Sequence, residues 1–438
     1  MARKSPELKI AFIIPGSGAS FYCQNCLRDF GLVRGLRGMG AEISVIPLYL
    51  PLDNENLPDL RNLPVFCGAV NIYLREKFNL YNLIPEGMRS MLDSKVVLDF
   101  ASGLSTSTSS KGLESLTISI LEGTDGRHKC ELDKLVSWLK NEEKPDIVHI
   151  SNALLLGVAE NISTELKIPV FCTVQDENQW IDSMDQEFRE KIYRTMASKA
   201  TSIKRFISVS SWYSEKFAED LGIGLENISV ISPGVDCGNY HRSNLPSDPP
   251  VIAYLSRISE ESGVGILAEA FAILKSQGGI FRNLKLKLSG GFSRDGKEFY
   301  EKVAKKMEKS GFKDDITIIE KFDDKSKNEL LGGATVFSVP SVSPEAFGFE
   351  ILEAFASGVP AVLPGVGAYP EIVNSSGGGI IYSPNTPENL AGALKQILDD
   401  RSRLEKLSEN AFKAAGSLFS IKTTAGKYMD TFRGCHKH

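Results

Sequence analysis

The chain has 438 residues, of which 42% are hydrophobic and 24% are charged, and its formal net charge at pH 7 is −5. This length predicts two or three domains, and the near-average apolar fraction excludes a disordered or low-complexity protein. The slightly acidic balance provides no long-range attraction for polyanions, so we expect small-molecule ligands and no nucleic acid.

Cysteine content and the N-terminal residues indicate the compartment. The seven cysteines are an odd, scattered set, which favours a reducing environment. The apolar run at residues 10–15 is too short for the core of a secretory signal, and no run of about 18 apolar residues predicts a membrane span. We therefore expect a cytoplasmic protein without a transmembrane segment, and peripheral contact with a membrane surface stays open.

Apolar segments of strand length alternate with segments of helical spacing in the first half of the chain. The first strand is predicted over residues 9–15, its helix over about 26–39 and the next strand over 42–48. Further strands are predicted at 147–150, 170–173 and 206–209. This alternation is typical of a doubly wound parallel sheet.

Two stretches interrupt the alternation. Residues 101–119 are rich in serine and threonine, and we interpret them as a mobile insertion. Residues 243–250 contain three prolines in eight positions, which exclude a helix or a central strand. This second stretch is predicted to be a linker.

The alternation restarts after the linker. Strands are predicted at 251–255, 284–289, 316–319 and 334–339, and helices at 265–277, 298–310, 325–331, 349–357, 387–400, 401–418 and about 422–432. Two consecutive α/β halves imply a cleft between them, with ligands at the carboxyl ends of the strands.

Residues 340–370 contain the densest group of candidate site residues. Seven residues separate Glu345 from Glu353, and Phe347, Gly348 and Phe349 lie between them. A helix that begins near Phe349 would direct its first N–H groups at an anion, and Gly348 would let a ligand approach the backbone. The two carboxylates suit sugar hydroxyls. The alternative is a solvated loop acid and an exposed helix acid.

Several strings resemble those of one family. They are the two glutamates with the sequence LEAFASGVP at 352–360, PEIV at 370–373, DIVH at 146–149, FISVS at 206–210, ISPGVD at 231–236 and YLSR at 254–257. Together they resemble the retaining glycosyltransferases of family 4, which have the GT-B fold. Only residues 51–144 match poorly.

The resemblance implies an α/β fold of two doubly wound, Rossmann-like parallel-sheet domains that face a central cleft. Residues 1–240 would form the acceptor-side domain, to which a crossover helix at about 418–438 returns. Residues 250–417 would form the domain that binds the nucleotide sugar.

The resemblance also assigns roles to residues. Glu353 would bind the ribose of a nucleotide, Glu345 would hold a hydroxyl of the donor sugar, and the backbone at Phe347, Gly348 and Phe349 would contact the sugar and the phosphates. Arg257 matches the arginine that neutralises the diphosphate.

Weaker assignments complete the expected site. Gly16 and Gly18 match a glycine turn that brings backbone close to phosphate or acceptor, although such glycines often serve only a sharp reversal of the chain. Base recognition is expected near residues 320–322, which include Phe322, through the backbone.

Two positions depart from the family pattern. The family usually has a lysine five positions after the arginine, where this chain has Ser262. A cation beside the leaving diphosphate is therefore missing, which should weaken donor binding. Where many members have a histidine, this chain has Gln175, which donates and accepts hydrogen bonds but transfers no proton at neutral pH.

The resemblance thus implies a retaining glycosyltransferase that moves a hexosyl group from a nucleotide-diphosphate sugar to a carbohydrate or other small acceptor. No cofactor is expected. A divalent metal is also not expected, because the sequence contains no Asp-any-Asp triplet. The alternatives are a nucleotide-binding or carbohydrate-binding protein with a degenerate site, a nucleotide-sugar epimerase, and a phosphorylase of the same fold.

Overall fold

The structure of the protein is a computed structural model that describes residues 8–15, 24–48, 113–127, 129–245, 247–292, 294–320 and 323–436. In these ranges the strands form two six-stranded parallel sheets with helices between successive strands. In the same ranges, no helix is both long and apolar enough to cross a bilayer.

The first sheet has the strand order β2-β1-β3-β4-β5-β6. Its strands are β1 (Lys9–Ile14), β2 (Glu42–Pro47), β3 (Ile147–Ile150), β4 (Val170–Val174), β5 (Arg205–Ser208) and β6 (Ile228–Val230). The helices of this part are α1 (Gln24–Gly38), α2 (Glu114–Glu122), α3 (Lys129–Trp138), α4 (Ala159–Leu166), α5 (Glu177–Asp182), α6 (Gln186–Lys199) and α7 (Ser211–Leu221). Every residue of β3 and β4 is buried, as expected for parallel strands covered on both faces.

The second sheet has the order β12-β11-β10-β7-β8-β9. Its strands are β7 (Val251–Leu255), β8 (Lys285–Ser289), β9 (Ile316–Ile319), β10 (Val336–Phe337), β11 (Ala361–Pro364) and β12 (Gly379–Tyr382). Its helices are α8 (Val264–Ser276), α9 (Arg294–Lys309), α10 (Asp324–Gly332), α11 (Phe349–Ala356), α12 (Tyr369–Ser376), α13 (Pro387–Leu398) and α14 (Arg401–Gly416), and the chain ends in α15 (Ile421–His436).

The described residues fall into two compact units. The first unit contains the first sheet and residues 425–436, the larger part of α15. The second unit contains the second sheet with residues 232–424, together with residues 24–31 at the start of α1.

The element pattern predicted from the sequence is largely confirmed. The strand predicted at 316–319 is Ile316–Ile319, and the helix predicted at 349–357 is Phe349–Ala356. The strand predicted at 334–339 is assigned only over Val336–Phe337. The flanking N–H groups of Thr335 and Ser338 still donate to carbonyl groups of β7, so the pairing extends beyond Val336–Phe337.

The prediction of a mobile insertion at 101–119 is wrong for its last residues, while 101–112 lie outside the described residues. Helix α2 begins at Glu114, and Ile118 and Leu121 are buried. Their spacing of three places both on one helix face. The Thr117 hydroxyl donates to the carbonyl of Leu113, so this polar group is satisfied inside the helix. Burial of the apolar face outweighs the low helix propensity of serine and threonine.

A buried polar chain holds α15 against the first sheet. The Nε2 atom of His149 lies 2.8 Å from the Thr173 hydroxyl, which lies 2.9 Å from the Tyr428 hydroxyl. Phe12 stacks on the His149 ring at 4.3 Å, and Phe432 meets the ring edge-on. The strand ends of β3 and β4 and the last helix are therefore joined by one network.

We predict that Thr173→Val destabilises the protein. The substitution keeps the side-chain shape but removes the hydroxyl that His149 and Tyr428 share, and loss of a buried partner costs about 1–3 kcal/mol. The thermal unfolding midpoint of the chain should fall.

Thr431→Val is the matched control, because its hydroxyl, near the surface of the same helix, donates only to the Lys427 carbonyl. An equal loss of stability in both variants would contradict a special role for the buried chain.

Candidate functional site

The candidate site lies at the point where the strand order of the second sheet reverses. Strands β7 and β10 are neighbours, and the chain winds away from them in opposite directions. Ligands of open α/β sheets bind at such a point, outside the carboxyl ends of the strands. Arg257 follows β7 by two residues, and Glu345 lies in the loop that follows β10.

The loop after β10 is held in place on both sides of Glu345. The Ser341 hydroxyl lies 3.0 Å from Glu345 Oε1, and the Ala368 N–H donates to the Glu345 carbonyl at 3.0 Å. Gly367 has a φ of +56°, and a Cβ atom there would lie 2.3 Å from the Glu345 carbonyl oxygen. Only glycine permits this approach, so the backbone of Glu345 is fixed before any ligand binds.

Helix α11 begins directly after Gly348, as its sequence predicts. Gly348 has a φ of +122°, and a Cβ atom there would lie 2.7 Å from the Ile351 side chain and 2.9 Å from Tyr369. Phe347 and Phe349 are both buried. The first N–H groups of α11 point out of its amino end, where the helix dipole favours a negative charge.

One of these N–H groups already has a partner that the sequence did not indicate. The Phe349 N–H donates to the side-chain oxygen of Gln24, the first residue of α1, at 3.1 Å. The two residues are 325 positions apart, so no local spacing could have associated them. The backbone of Phe347, Gly348 and Phe349 is expected to contact a donor. Of these three, the Phe349 N–H has a side-chain partner, Gln24, which belongs to the second unit.

Glu353 is completely buried inside α11. Its Oε1 atom accepts a hydrogen bond from the Tyr240 hydroxyl at 2.6 Å and lies 2.8 Å from the Lys327 ammonium. Asp324 lies 3.2 Å from the same ammonium. The alternative of an exposed helix acid is therefore wrong for Glu353, and Lys327 and Tyr240 are neighbours that the sequence did not indicate.

The Lys327 side chain is only 5% exposed. Burial lowers the pKa of its ammonium, but the carboxylates of Glu353 and Asp324 raise it by more, so the pKa lies above its usual value. Lys327 is therefore a cation at neutral pH, and it balances the buried charge of Glu353.

Ser262 occupies the position of the family lysine at the amino end of α8. Its hydroxyl lies 2.9 Å from the Ser259 hydroxyl. Gly263 follows with a φ of +75°, and a Cβ atom there would lie 1.8 Å from the Pro340 carbonyl oxygen. The loop that carries Arg257 thus packs against the end of β10, and Ser262 contributes a neutral hydroxyl to it.

Gln175 belongs to the first unit, whereas Arg257, Ser262, Glu345 and Glu353 belong to the second. It follows β4 and is buried, and its N–H donates to Glu177 Oε2 at 2.8 Å. The same carboxylate accepts from the Tyr213 hydroxyl at 2.6 Å and the Ala153 N–H at 2.9 Å. Glu177 therefore fixes the turn that carries Gln175.

Three predicted site residues, Gly16, Gly18 and Phe322, lie outside the described residues. In the part of the chain that the structure describes, no group of three or more His, Cys, Asp and Glu side chains is placed to hold a metal ion.

Two family models match consecutive parts of the chain. The model for the glycosyl transferases group 1 matches residues 239–414, and the model for Glycosyltransferase Family 4 matches residues 125–239. The second sheet and its candidate site thus fall within the first match.

Curated proteins that are similar in sequence to this chain include glycosyltransferases. A D-inositol 3-phosphate glycosyltransferase of Nocardioides sp. is 28% identical over 222 residues, which cover 47% of this chain and 48% of that protein. The chain spans about half the length of the curated relatives it matches.

Solved structures share the fold over nearly the whole chain. HepE of Anabaena in complex with UDP has a TM-score of 0.68 at 18% identity, covering 98% of this chain and 100% of that one. The sucrose-phosphate synthase of Thermosynechococcus elongatus has a TM-score of 0.69 at 18% identity, covering 98% and 99%. The two parallel sheets are those of the GT-B fold.

We predict that Lys327→Met lowers the free energy of unfolding by about 3–5 kcal/mol, because it leaves the Glu353 carboxylate buried without its cation. Chemical denaturation of the unliganded protein measures this loss.

Lys325→Met on the same helix is the control. The Lys325 side chain is 83% exposed, and its nearest carboxylate, that of Glu329, is 3.9 Å away, so we expect a change within about 0.5 kcal/mol. Similar losses in both variants would show that the Lys327 and Glu353 pair contributes no special stability.

Proposed function

We propose that the chain transfers a hexosyl group from a nucleotide-diphosphate sugar to a carbohydrate or other small acceptor. Residues 239–414 match the model for the glycosyl transferases group 1 and residues 125–239 match that for Glycosyltransferase Family 4, which supports this proposal. The anomeric configuration of the sugar is retained. The observation that carries the proposal is the grouping of Arg257, Glu345 and the start of α11 at the reversal point of the second sheet.

The proposed donor site assigns each group a chemical task. Arg257 balances the charge of the diphosphate. Glu345 accepts a hydrogen bond from a hydroxyl of the sugar, and Glu353 accepts one from a hydroxyl of the ribose. Gly348 and its neighbours Phe347 and Phe349 bring backbone close to the sugar and phosphates. A structure of the same fold was solved with UDP, which supports a uridine nucleotide as the first donor to test.

The proposed reaction needs no nucleophile from the protein. The bond between the anomeric carbon and the phosphate oxygen breaks, and the acceptor oxygen bonds to that carbon on the same face. The leaving phosphate oxygen takes the acceptor proton. The protein supplies position and charge, and Gln175 orients a sugar hydroxyl through hydrogen bonds without transferring a proton.

In this proposal residues 250–417 bind the donor. Residues 1–240, with the crossover helix at about 418–438, bind the acceptor, and the glycine turn with Gly16 and Gly18 is assigned to phosphate or acceptor. The base is recognised through the backbone near residues 320–322, which include Phe322. The reaction takes place in the cytoplasm and uses neither a cofactor nor a divalent metal.

Calorimetric titration with UDP, GDP and ADP in the presence of EDTA tests the donor site. Micromolar binding of one nucleotide, followed by transfer from its sugar conjugate with an unchanged anomeric configuration in the product, is the expected result. Absence of binding to all three nucleotides, both with EDTA and with added Mg²⁺, would overturn the donor site. Binding that requires Mg²⁺ would overturn the metal-free reaction.

The neutral Ser262 and Ser259 pair favours a second candidate, a nucleotide-binding or carbohydrate-binding protein without turnover. Such a protein would bind a nucleotide sugar and return it unchanged. An epimerase would instead release free sugar and nucleotide without an acceptor. Product analysis after prolonged incubation separates these activities from transfer.

We predict that Ser262→Lys tightens UDP binding about tenfold, because a hydrogen bond between charged groups contributes about 1.5–3 kcal/mol and each 1.4 kcal/mol is tenfold in affinity. The measurement is the dissociation constant for UDP at fixed ionic strength.

Ser276→Lys adds the same charge at the exposed carboxyl end of α8 and should leave the constant unchanged. If Ser262→Lys binds UDP no more tightly than this control, a missing cation at residue 262 does not limit donor binding.

A further inference from the structure

The backbone on both sides of Tyr240 is clamped to helix α10. After the short turn Cys237–Asn239, the Asn239 carbonyl accepts from the Asn328 side-chain amide at 2.8 Å. The His241 N–H donates to the side-chain oxygen of the same asparagine at 3.3 Å. One asparagine thus binds the residues before and after Tyr240, and it is the residue that follows Lys327.

The Tyr240 side chain reaches from this clamp to Glu353. Its hydroxyl donates to Glu353 Oε1 at 2.6 Å, a short contact typical of a hydrogen bond to a charged oxygen. The Lys327 ammonium lies 5.8 Å from the centre of the tyrosine ring. Tyr240 is half-buried, while Glu353 and Lys327 are buried, so of the two groups that contact Glu353 Oε1 the tyrosine is the more exposed.

A ribose hydroxyl and the Tyr240 hydroxyl would make the same interaction with Glu353. Both are neutral O–H donors, and a carboxylate accepts from either. Glu353 has no exposed surface, so a ligand reaches its carboxylate only when a group that covers it moves. The hydroxyl that already donates to Oε1 is the group that a ribose would replace.

We propose that Tyr240 is an affinity-determining residue of the nucleotide site, whose hydroxyl holds the place of a ribose hydroxyl on Glu353 and leaves when a nucleotide binds. This inference rests on the proposed function, which assigns the ribose to Glu353. Lys327 stays in place, because it is buried and neutralises the carboxylate in both states.

Replacement of the Tyr240 hydroxyl by a ribose hydroxyl has a consequence for the segment that carries Tyr240. In the unliganded protein the turn Cys237–Asn239 and the following residues are held by Asn328 and by the contact between Tyr240 and Glu353. Nucleotide binding removes the second contact. The backbone amides at 238–241 should then exchange with solvent faster, whereas binding of a ligand ordinarily slows exchange near its site.

The test compares Tyr240→Phe with the unmodified protein, with UDP as the probe. The variant keeps the ring and removes the hydroxyl, so UDP no longer breaks a hydrogen bond in order to bind. We expect the dissociation constant for UDP to fall about tenfold, while the thermal unfolding midpoint of the unliganded variant decreases. A purely structural role for Tyr240 would weaken UDP binding along with stability.

Two controls make the comparison specific. Tyr193→Phe removes a hydroxyl that donates to Asp182 at 3.1 Å in the first unit, and it should leave UDP binding unchanged. A 2′,3′-dideoxy analogue of UDP has no ribose hydroxyl to exchange with Tyr240, so its affinity should be equal in Tyr240→Phe and the unmodified protein. Hydrogen exchange at 238–241 with and without UDP provides a measurement that needs no substitution.

Each outcome is decisive. Unchanged or weaker UDP binding by Tyr240→Phe would overturn the proposed replacement of the Tyr240 hydroxyl. An equal gain in affinity for the dideoxy analogue would overturn it too. The proposed function would stand in both cases, because the unmodified protein still binds UDP. Failure of the unmodified protein to bind UDP, GDP and ADP would overturn the proposed function and this inference together.

Discussion

The candidate site depends on one constraint of the second sheet, the reversal of strand order between β7 and β10. In a parallel sheet all carboxyl ends lie on one edge, and at the reversal the two connections leave in opposite directions, which opens a crevice. The loop with Arg257 and the loop with Glu345 start from these two strands. The two loops meet, since the Val342 N–H donates to the Glu261 carbonyl at 2.8 Å.

The sequence predicted the strands, most helices and the start of α11, because buried parallel strands and amphipathic helices leave periodic patterns and Gly348 marks a helix start. It did not predict Lys327, Tyr240 or Gln24 as neighbours of the site residues. These contacts depend on how separate elements pack, and a lysine on a charged helix or a tyrosine after a short turn has no distinctive local pattern. The sequence also does not predict the burial of Ile118 in α2, because its serine and threonine content obscures a short apolar face.

Positive charge in the second unit is distributed differently from the family pattern. The position of the usual lysine holds Ser262, paired with another hydroxyl. A buried lysine, Lys327, is instead paired with the carboxylate of Glu353. Its charge is balanced by the carboxylates of Glu353 and Asp324, so it contributes no net positive charge for a ligand. The proposed diphosphate contact is assigned to Arg257.

The Ser341 hydroxyl lies within hydrogen-bonding distance of three oxygens, the Glu261 carbonyl at 3.4 Å, the Ser343 carbonyl at 2.9 Å and Glu345 Oε1 at 3.0 Å. A hydroxyl has one proton, so these acceptors compete for it. A ligand that donates to Glu345 reduces the demand of that carboxylate for the proton and releases it to the backbone. If Glu345 holds a sugar hydroxyl as proposed, the energies of that contact and of the Arg257 loop are non-additive, and a double-mutant cycle across Ser341 would measure this coupling directly.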